Sequence, residues 1–441
     1  MIRRFAFLGI VALVAAAVVA TLHGGAAADP AVVDRAFGRF LNALDNEAAG
    51  QLVNELIESG VTFEDAYARL KHGRSYSQAV PRGLQRRIHR TADGLNPEYA
   101  IIVPENYNAS RAYQVRVQLH GGVSGPRYER AEQFDRIVGS PDQIYVHPTG
   151  WSGAQWWYAN QVENINGILD ALRRTYNVDE NRIYLTGISD GGTGAYFMAF
   201  RDTTPWASFL PLNGDLFVLA NVEADGDMYP GNAVNKPFFI VNGGRDPLYP
   251  AAVVEPDIEH LRSLGTEVVY HPQPEAGHNT DWWPIEKDSF ERFVHEHPRD
   301  PLPDRLSWEA ERTDRYNRAH WLIIDVLGAV AGESQLADTN LAGGNPVAIG
   351  VQIFPRQQPS GRVDLVRMGN TVQASTKGVR TFTLLLSPDE FDFAAPIIVL
   401  TNGHVAFEGR LEKSVPTLLK WAAHDNDRTM LFGAELKIQV K

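Results

Sequence analysis

The sequence predicts an α/β architecture: a mostly parallel sheet of eight strands with helices between them, a short helical segment before it and a β-rich, sandwich-like part after it. Three observations carry that expectation. Between about residues 84 and 297, apolar runs of strand length alternate with stretches of helical periodicity. Beyond Pro298 the helical stretches give way to short strand-like runs separated by turn residues. The polar residues that stand out in the alternating part each follow the C-terminal end of an expected strand, where open α/β sheets gather their sites.

The N-terminus carries Arg3 and Arg4, an apolar run over 5–22 and Ala26-Ala27-Ala28 before Asp29. This is the pattern of a secretory signal over 1–28, cleaved after Ala28, and it predicts export to the periplasm or the outside. The run has 18 residues, the lower limit of a membrane span, so an uncleaved anchor is the alternative. Residues 29–80 read as helical. Val33, Phe37, Phe40, Leu41 and Leu44 fall at helical spacing, Leu52, Leu56 and Ile57 repeat it, and Phe63, Ala66, Tyr67 and Leu70 follow between Gly60 and Gly73. Such a prefix either packs on the scaffold or serves as a lid.

Strands are expected at 84–91, 98–104, 113–119, 143–147, 182–187, 207–212, 236–242 and 267–271, with helices near 160–176, 191–201, 251–264 and 284–296. The fifth strand runs into Gly187-Ile188-Ser189-Asp190-Gly191-Gly192 and then a helix. A Gly-x-Ser-x-Gly turn between strand and helix holds its serine on strained backbone with the hydroxyl exposed above the sheet. The third strand ends in His120-Gly121-Gly122, whose amides suit a developing oxyanion. The seventh ends in Asn242-Gly243-Gly244-Arg245-Asp246, and the eighth is followed by Glu275-Ala276-Gly277-His278.

The order Ser189, Asp246, His278 is that of the α/β-hydrolases. Over about residues 84–297 the chain resembles that superfamily. The runs Tyr99-Ala100-Ile101-Ile102-Val103-Pro104-Glu105-Asn106-Tyr107, Leu119-His120-Gly121-Gly122 and Gly187-Ile188-Ser189-Asp190-Gly191-Gly192 are similar to its secreted esterase, polyhydroxybutyrate-depolymerase-like and prolyl-oligopeptidase-like branch. The resemblance implies an α/β-hydrolase catalytic domain over 81–297 with Ser189 as nucleophile, His278 as general base and Asp246 as the acid that orients it. It also implies oxyanion donors from the backbone of Asp190 and of Gly121 or Gly122. A serine hydroxyl is too weak an acid to attack a carbonyl unaided, which is why a neutral imidazole must take its proton and a carboxylate must fix the tautomer.

Each assignment has a competitor in the sequence. Asp246 competes with Asp215 and Asp257, His278 with His271, and His120 reads as a structural histidine of the oxyanion loop rather than a base. Trp151, Trp156, Trp157, Trp282 and Trp283 follow expected strands and would either line an aromatic pocket or fill the core. Glu223, Asp225 and Asp227, and likewise Asp425-Asn426-Asp427, contain carboxylates but no full calcium-loop pattern, so solvated loops are expected.

Residues 298–305, with Pro298, Pro301 and Pro303, read as a linker, and 306–441 as a β-rich domain with strands at 320–326, 347–354, 379–386, 397–405 and 435–440. The stretch 339–346 reads as a surface loop. A sandwich in this position would bind a polymer, cover the active-site edge or mediate dimerisation. The net charge of −12 argues against binding nucleic acid or an anionic membrane surface by bulk electrostatics. No cysteine is present, which excludes disulfides and thiolate chemistry. No cofactor or metal site is read in the sequence.

The function expected is an exported serine hydrolase that cleaves small-molecule or polymeric carboxylic esters through an acyl-enzyme. The runner-up is a serine peptidase of the prolyl-oligopeptidase-like clan. A non-catalytic binding protein on a hydrolase fold is the reading of another class, and retention of Ser189 and His278 argues against it.

Overall fold

The computed structural model describes residues 29–126, 140–328, 354 and 358–440. The expected signal segment, the strand at 347–354 apart from Phe354 and the loop at 339–346 lie outside them. Among the described residues no helix is long and apolar enough to cross a membrane.

The N-terminal helices are α1 (Pro30–Leu41), α2 (Asn46–Gln51), α3 (Val53–Glu58) and α4 (Phe63–His72). Asp29, Asp45 and Thr62 cap α1, α2 and α4 through side-chain oxygens, and Gly73 ends α4 with φ +76°.

The central sheet contains β1 (Gly83–Ile88), β2 (Glu98–Val103), β3 (Tyr113–Leu119), β4 (Ile144–Pro148), β5 (Val178–Ile188), β6 (Phe209–Leu212), β7 (Phe238–Gly243) and β8 (Val268–Gln273). Its order is β1-β2-β4-β3-β5-β6-β7-β8, antiparallel across β1, β2 and β4 and parallel from β4 through β8. This is the eight-stranded, mostly parallel sheet expected from the sequence.

Its helices are α5 (Ala159–Thr175), α6 (Asp190–Arg201), α7 (Ala251–Ser263) and α8 (Trp283–Glu296). Alternate strand residues explain how both faces are filled. Ile183, Leu185, Phe209, Phe238 and Ile240 pack with α5, α6 and α7, whereas Tyr184, Leu210, Leu212, Phe239 and Val241 pack with α8. Because both faces are covered, β6 and β7 are fully buried, and they are apolar apart from Asn242 near the end of β7.

The C-terminal part contains β9 (Arg305–Ala310), β10 (Arg318–Ala319), β11 (Leu322–Leu327), β12 (Gly361–Met368), β13 (Thr371–Lys377), β14 (Val379–Leu386), β15 (Ile397–Thr401), β16 (His404–Gly409), α9 (Val415–Asp425) and β17 (Ala434–Gln439). A five-stranded sheet, β16-β15-β13-β12-β9, and a four-stranded sheet, β10-β11-β14-β17, share one apolar core. The single strand expected at 397–405 is instead the hairpin β15–β16, turning at Asn402-Gly403 with φ of 51° and 83°. Asn-Gly favours that left-handed turn. Helix α9 was not expected at all, and it packs with α1 to α4 in a core of its own.

Two acidic loops expected to be solvated are tied down. Asp225 accepts from Tyr316 Oη at 2.7 Å and pairs with Arg315, Asp425 pairs with Arg318 at 2.6 Å, and buried Asp427 pairs with buried Arg299 at 2.6 Å. Arg299 falls in the stretch read as a linker, yet it also bonds Asn181 at the start of the central strand β5. Arg201 of α6 makes a two-pronged contact with Glu311 just beyond β9, at 2.7 and 2.6 Å, with both side chains out of solvent. These pairs join the central sheet to the sandwich.

Removing one partner of such a pair strands a buried charge. Glu311→Ala is expected to cost about 3–5 kcal/mol of stability, read from the denaturation midpoint, and Arg201→Met with Glu311→Leu far less. Equal losses in the two variants would contradict a paired charge at this junction.

Candidate active site

The turn between β5 and α6 places Ser189 at φ 57° and ψ −122°, backbone that a residue with a Cβ adopts only under constraint. Its amide donates to Leu212 O at 2.9 Å, and its carbonyl accepts from Thr193 N at 3.1 Å as α6 begins. Strand and helix approach so closely here that a Cβ on Gly187 would lie 2.0 Å from Gly191 O. The glycines of the motif are therefore required by space.

The structure brings the three expected side chains together. His278 Nε2 lies 3.0 Å from Ser189 Oγ, and His278 Nδ1 lies 2.7 Å from Asp246 Oδ2. The Asp246 carboxylate is fully out of solvent, whereas the imidazole keeps 24% of its surface exposed, at the open end of the sheet. Asp246 Oδ1 accepts from the amides of Leu248 at 2.8 Å and Tyr249 at 3.0 Å, so the carboxylate is held at both oxygens. A carboxylate accepts only, so His278 carries its proton on Nδ1 and presents Nε2 as an acceptor to the serine hydroxyl.

Gly121 abuts the serine: a Cβ there would lie 2.8 Å from Ser189 Cβ and 3.3 Å from Oγ. Gly122 follows at φ +70°. Asp190 opens α6, where the first amides have no intrahelical acceptor. Its carboxylate has a role the sequence did not reveal, accepting from Val123 N at 2.8 Å and so fastening the 121–123 turn to the serine turn.

His120 is structural, as expected. Gly150 N–H donates to its Nε2 at 3.0 Å, which leaves the proton on Nδ1 to donate to Gly121 O at 2.8 Å. The Trp156 indole N–H donates to His120 O at 2.8 Å and its ring stands edge-on to the imidazole. All five tryptophans around the site are buried, so they fill the core rather than line an open pocket. Trp282 and Trp283 belong to the α8 side of the sheet.

The competitors for acid and base are occupied elsewhere. His271 bonds Glu286 at 2.6 Å and packs on Phe239 on the α8 side. Asp215 caps the turn over 216–220 by accepting from Phe217 N at 3.0 Å, and it shares a hydrogen bond with Asp257 of α7. Burial raises both carboxyls, and Asp257, facing the charge of Asp215, is pushed up to about 8 and carries the proton. Tyr249, edge-on to the His278 ring, is pushed up to about 12 by burial and by the nearby carboxylates of Asp190, Asp215 and Asp246. Among the described residues, no group of three or more His, Asp or Glu side chains converges as metal ligands would.

Asn213, at the end of β6, was not singled out from the sequence. It is buried, with φ 46°, and its side chain donates to Asn279 O at 2.6 Å and accepts from Gly243 N at 3.2 Å. The one signal available was Asn213-Gly214 at the end of an apolar strand.

No family model matches the chain. It is 28% identical over 102 residues to a "Bifunctional acetylxylan esterase/xylanase" of Neocallimastix patriciarum, covering 22% of this chain and 15% of that one. It is 28% identical over 159 residues to "Probable feruloyl esterase C" of Aspergillus terreus, covering 33% of this chain and 57% of that one. The chain thus spans less than two thirds of either relative. Among solved structures, a thermostable esterase is similar with TM-score 0.40 and 21% identity over 49% of this chain and 63% of that one. An acylaminoacyl peptidase of Pyrococcus horikoshii is similar with TM-score 0.39 and 17% identity over 49% of this chain and 42% of that one.

Two outcomes follow from the geometry. Gly121→Ala pushes a methyl group into Ser189 and is expected to lower hydrolytic turnover at least tenfold while leaving the circular dichroism spectrum unchanged. For Asp257 the folded pKa is raised, so the stability present below the ordinary carboxyl range is lost as pH rises through about 8. Asp257→Asn, which keeps a donor to Asp215 and cannot ionise, is expected to gain thermal stability over the parent progressively from pH 5 to pH 9. A gap in Tm that stays constant with pH would contradict the shared proton.

Proposed function

We propose that the chain is a serine hydrolase that cleaves carboxylic esters through an acyl-enzyme. The observation that carries the reading is the continuous contact from Ser189 Oγ to His278 Nε2 at 3.0 Å and from His278 Nδ1 to Asp246 at 2.7 Å. Ser189 Oγ attacks the ester carbonyl as its proton passes to His278 Nε2, and Asp246 stabilises the imidazolium that forms. The tetrahedral oxyanion takes hydrogen bonds from the Asp190 amide and from the Gly121-Gly122 turn, each donor being worth about 2.7–4 kcal/mol in hydrolases of this type. Collapse expels the alcohol, which takes the proton from His278. Water then enters by the reverse route and releases the acid.

Esters are favoured over amides because two partial relatives are named as esterases. Their names point to acetyl groups on xylan and to feruloyl groups, so acylated plant polysaccharides are the substrate class to try first. Export is part of the proposal and rests on the Arg3-Arg4, apolar and Ala26-Ala27-Ala28 pattern.

The test is a panel of p-nitrophenyl esters, methyl ferulate, acetylated xylan and aminoacyl p-nitroanilides, run on residues 29–441 beside Ser189→Ala and Asp246→Asn. Ester turnover is expected, abolished in the first variant and reduced about ten-thousand-fold in the second, which sets the wrong histidine tautomer. Preferential anilide turnover would move the reading to a peptidase. Turnover that survives Ser189→Ala would end it.

A further inference from the structure

We propose that Asn213 is a positioning residue: its carboxamide ties the loop carrying His278 to the end of β7, the strand that leads into Asp246, and thereby sets the 3.0 Å contact of His278 with Ser189. The inference rests on the catalytic reading above and adds a residue to it.

The argument begins with the end of β6, which lies between β5 and β7 in the sheet. Leu212 and Asn213 touch the segments of all three proposed catalytic residues. Leu212 O accepts from the Ser189 amide at 2.9 Å. Asn213 Oδ1 accepts from the amide of Gly243, three residues before Asp246, at 3.2 Å. Asn213 Nδ2 donates to the carbonyl of Asn279, the residue after His278, at 2.6 Å. The backbone amide of Asn213 adds a bond to Val241 O at 2.8 Å.

This side chain is specified closely. Its two ends face a carbonyl and an amide, so only one orientation of the carboxamide satisfies both. Serine is too short to span both partners. Aspartate keeps the acceptor for Gly243 but sets a carboxylate against a carbonyl oxygen. The left-handed backbone, with φ 46°, further favours asparagine or glycine. With 1% of its surface exposed, Asn213 acts on the backbone at Gly243 and Asn279 and not on the reacting atoms themselves.

The need for such a tie follows from where His278 sits. It lies in the loop between β8, the last strand of the sheet, and α8, so strand pairing does not fix its height above Ser189. The bond to Asn279 O crosses from β6 over β7 to that loop. A displacement of about 1 Å at a catalytic group can cost a hundredfold in rate.

The experiment compares the parent, Ser189→Ala, Asn213→Gly and Asn213→Asp on one p-nitrophenyl ester, with kcat and KM resolved, thermal unfolding, and the low-field proton NMR signal of His278 Nδ1–H. Asn213→Gly keeps the backbone conformation and loses both bonds. It is expected to lower kcat ten- to a hundredfold with KM within about twofold, and to broaden or shift the Nδ1–H signal. Asn213→Asp, which loses only the bond to Asn279, is expected to show a similar loss of kcat, and it keeps the test open should the glycine variant not fold. Parent-like kcat and an unchanged Nδ1–H signal in folded variants would overturn the proposal while an inactive Ser189→Ala leaves the catalytic reading standing. A fall in kcat matched only by lower thermal stability, with that signal unchanged, would likewise overturn it. Full activity in Ser189→Ala would overturn both.

Discussion

The left-handed backbone of Ser189 is the constraint around which the rest of the site is arranged. Such a conformation costs about 1–3 kcal/mol and persists only where the surroundings over-determine it. Here the amide is fixed by Leu212 and the carbonyl by Thr193, and strand and helix meet at a distance that admits no side chain on Gly187 or Gly191. Because the serine cannot relax, everything that must reach it is built to its position. Gly121 is bare so that the 121–123 turn can approach, and the Asp190 carboxylate pins that turn through Val123.

A second layer of polar contacts carries this rigidity outward. Asp246 is held by two amides, His120 bridges Gly150 and Gly121, and Asn213 links the end of β6 to the end of β7 and the loop after β8. Farther out, the Arg201–Glu311 and Arg299–Asp427 pairs fasten α6 and the edge of β5 to the sandwich. Since α6 begins at the serine turn, the sandwich braces the helix on which that turn depends. Buried pairs of this kind add little net stability over apolar packing, but they penalise any other docking of the two parts.

The inner strands of the central sheet were legible because strands covered on both faces are mostly apolar, and such runs stand out against the helices between them. All eight were placed to within a few residues, β5 least well because its first turn of Val178–Asn181 carries polar residues. The sandwich was harder to read. Strands β12 and β13 alternate buried positions with Arg362, Asp364, Gln373 and Ser375, which makes them look like polar loops in a linear chain. Helix α9 was missed although Ser414 and Pro416 mark its start, because its apolar face is completed only by helices more than 340 residues earlier in the chain. At the candidate site, the convergence of Ser189, Asp246 and His278 was legible from strand ends and chain order. Asn213 was not, since its role exists only where three strand ends meet.

The claim on which the account depends is that Ser189 is an activated nucleophile rather than the residue of a tight turn. Treating the folded protein with a fluorophosphonate and mapping the adduct by peptide mass spectrometry tests it without any choice of substrate. The account predicts a single stoichiometric adduct on Ser189, formed far faster in native than in denatured protein. An unlabelled Ser189 in native protein, or an adduct carried by another residue, would contradict it.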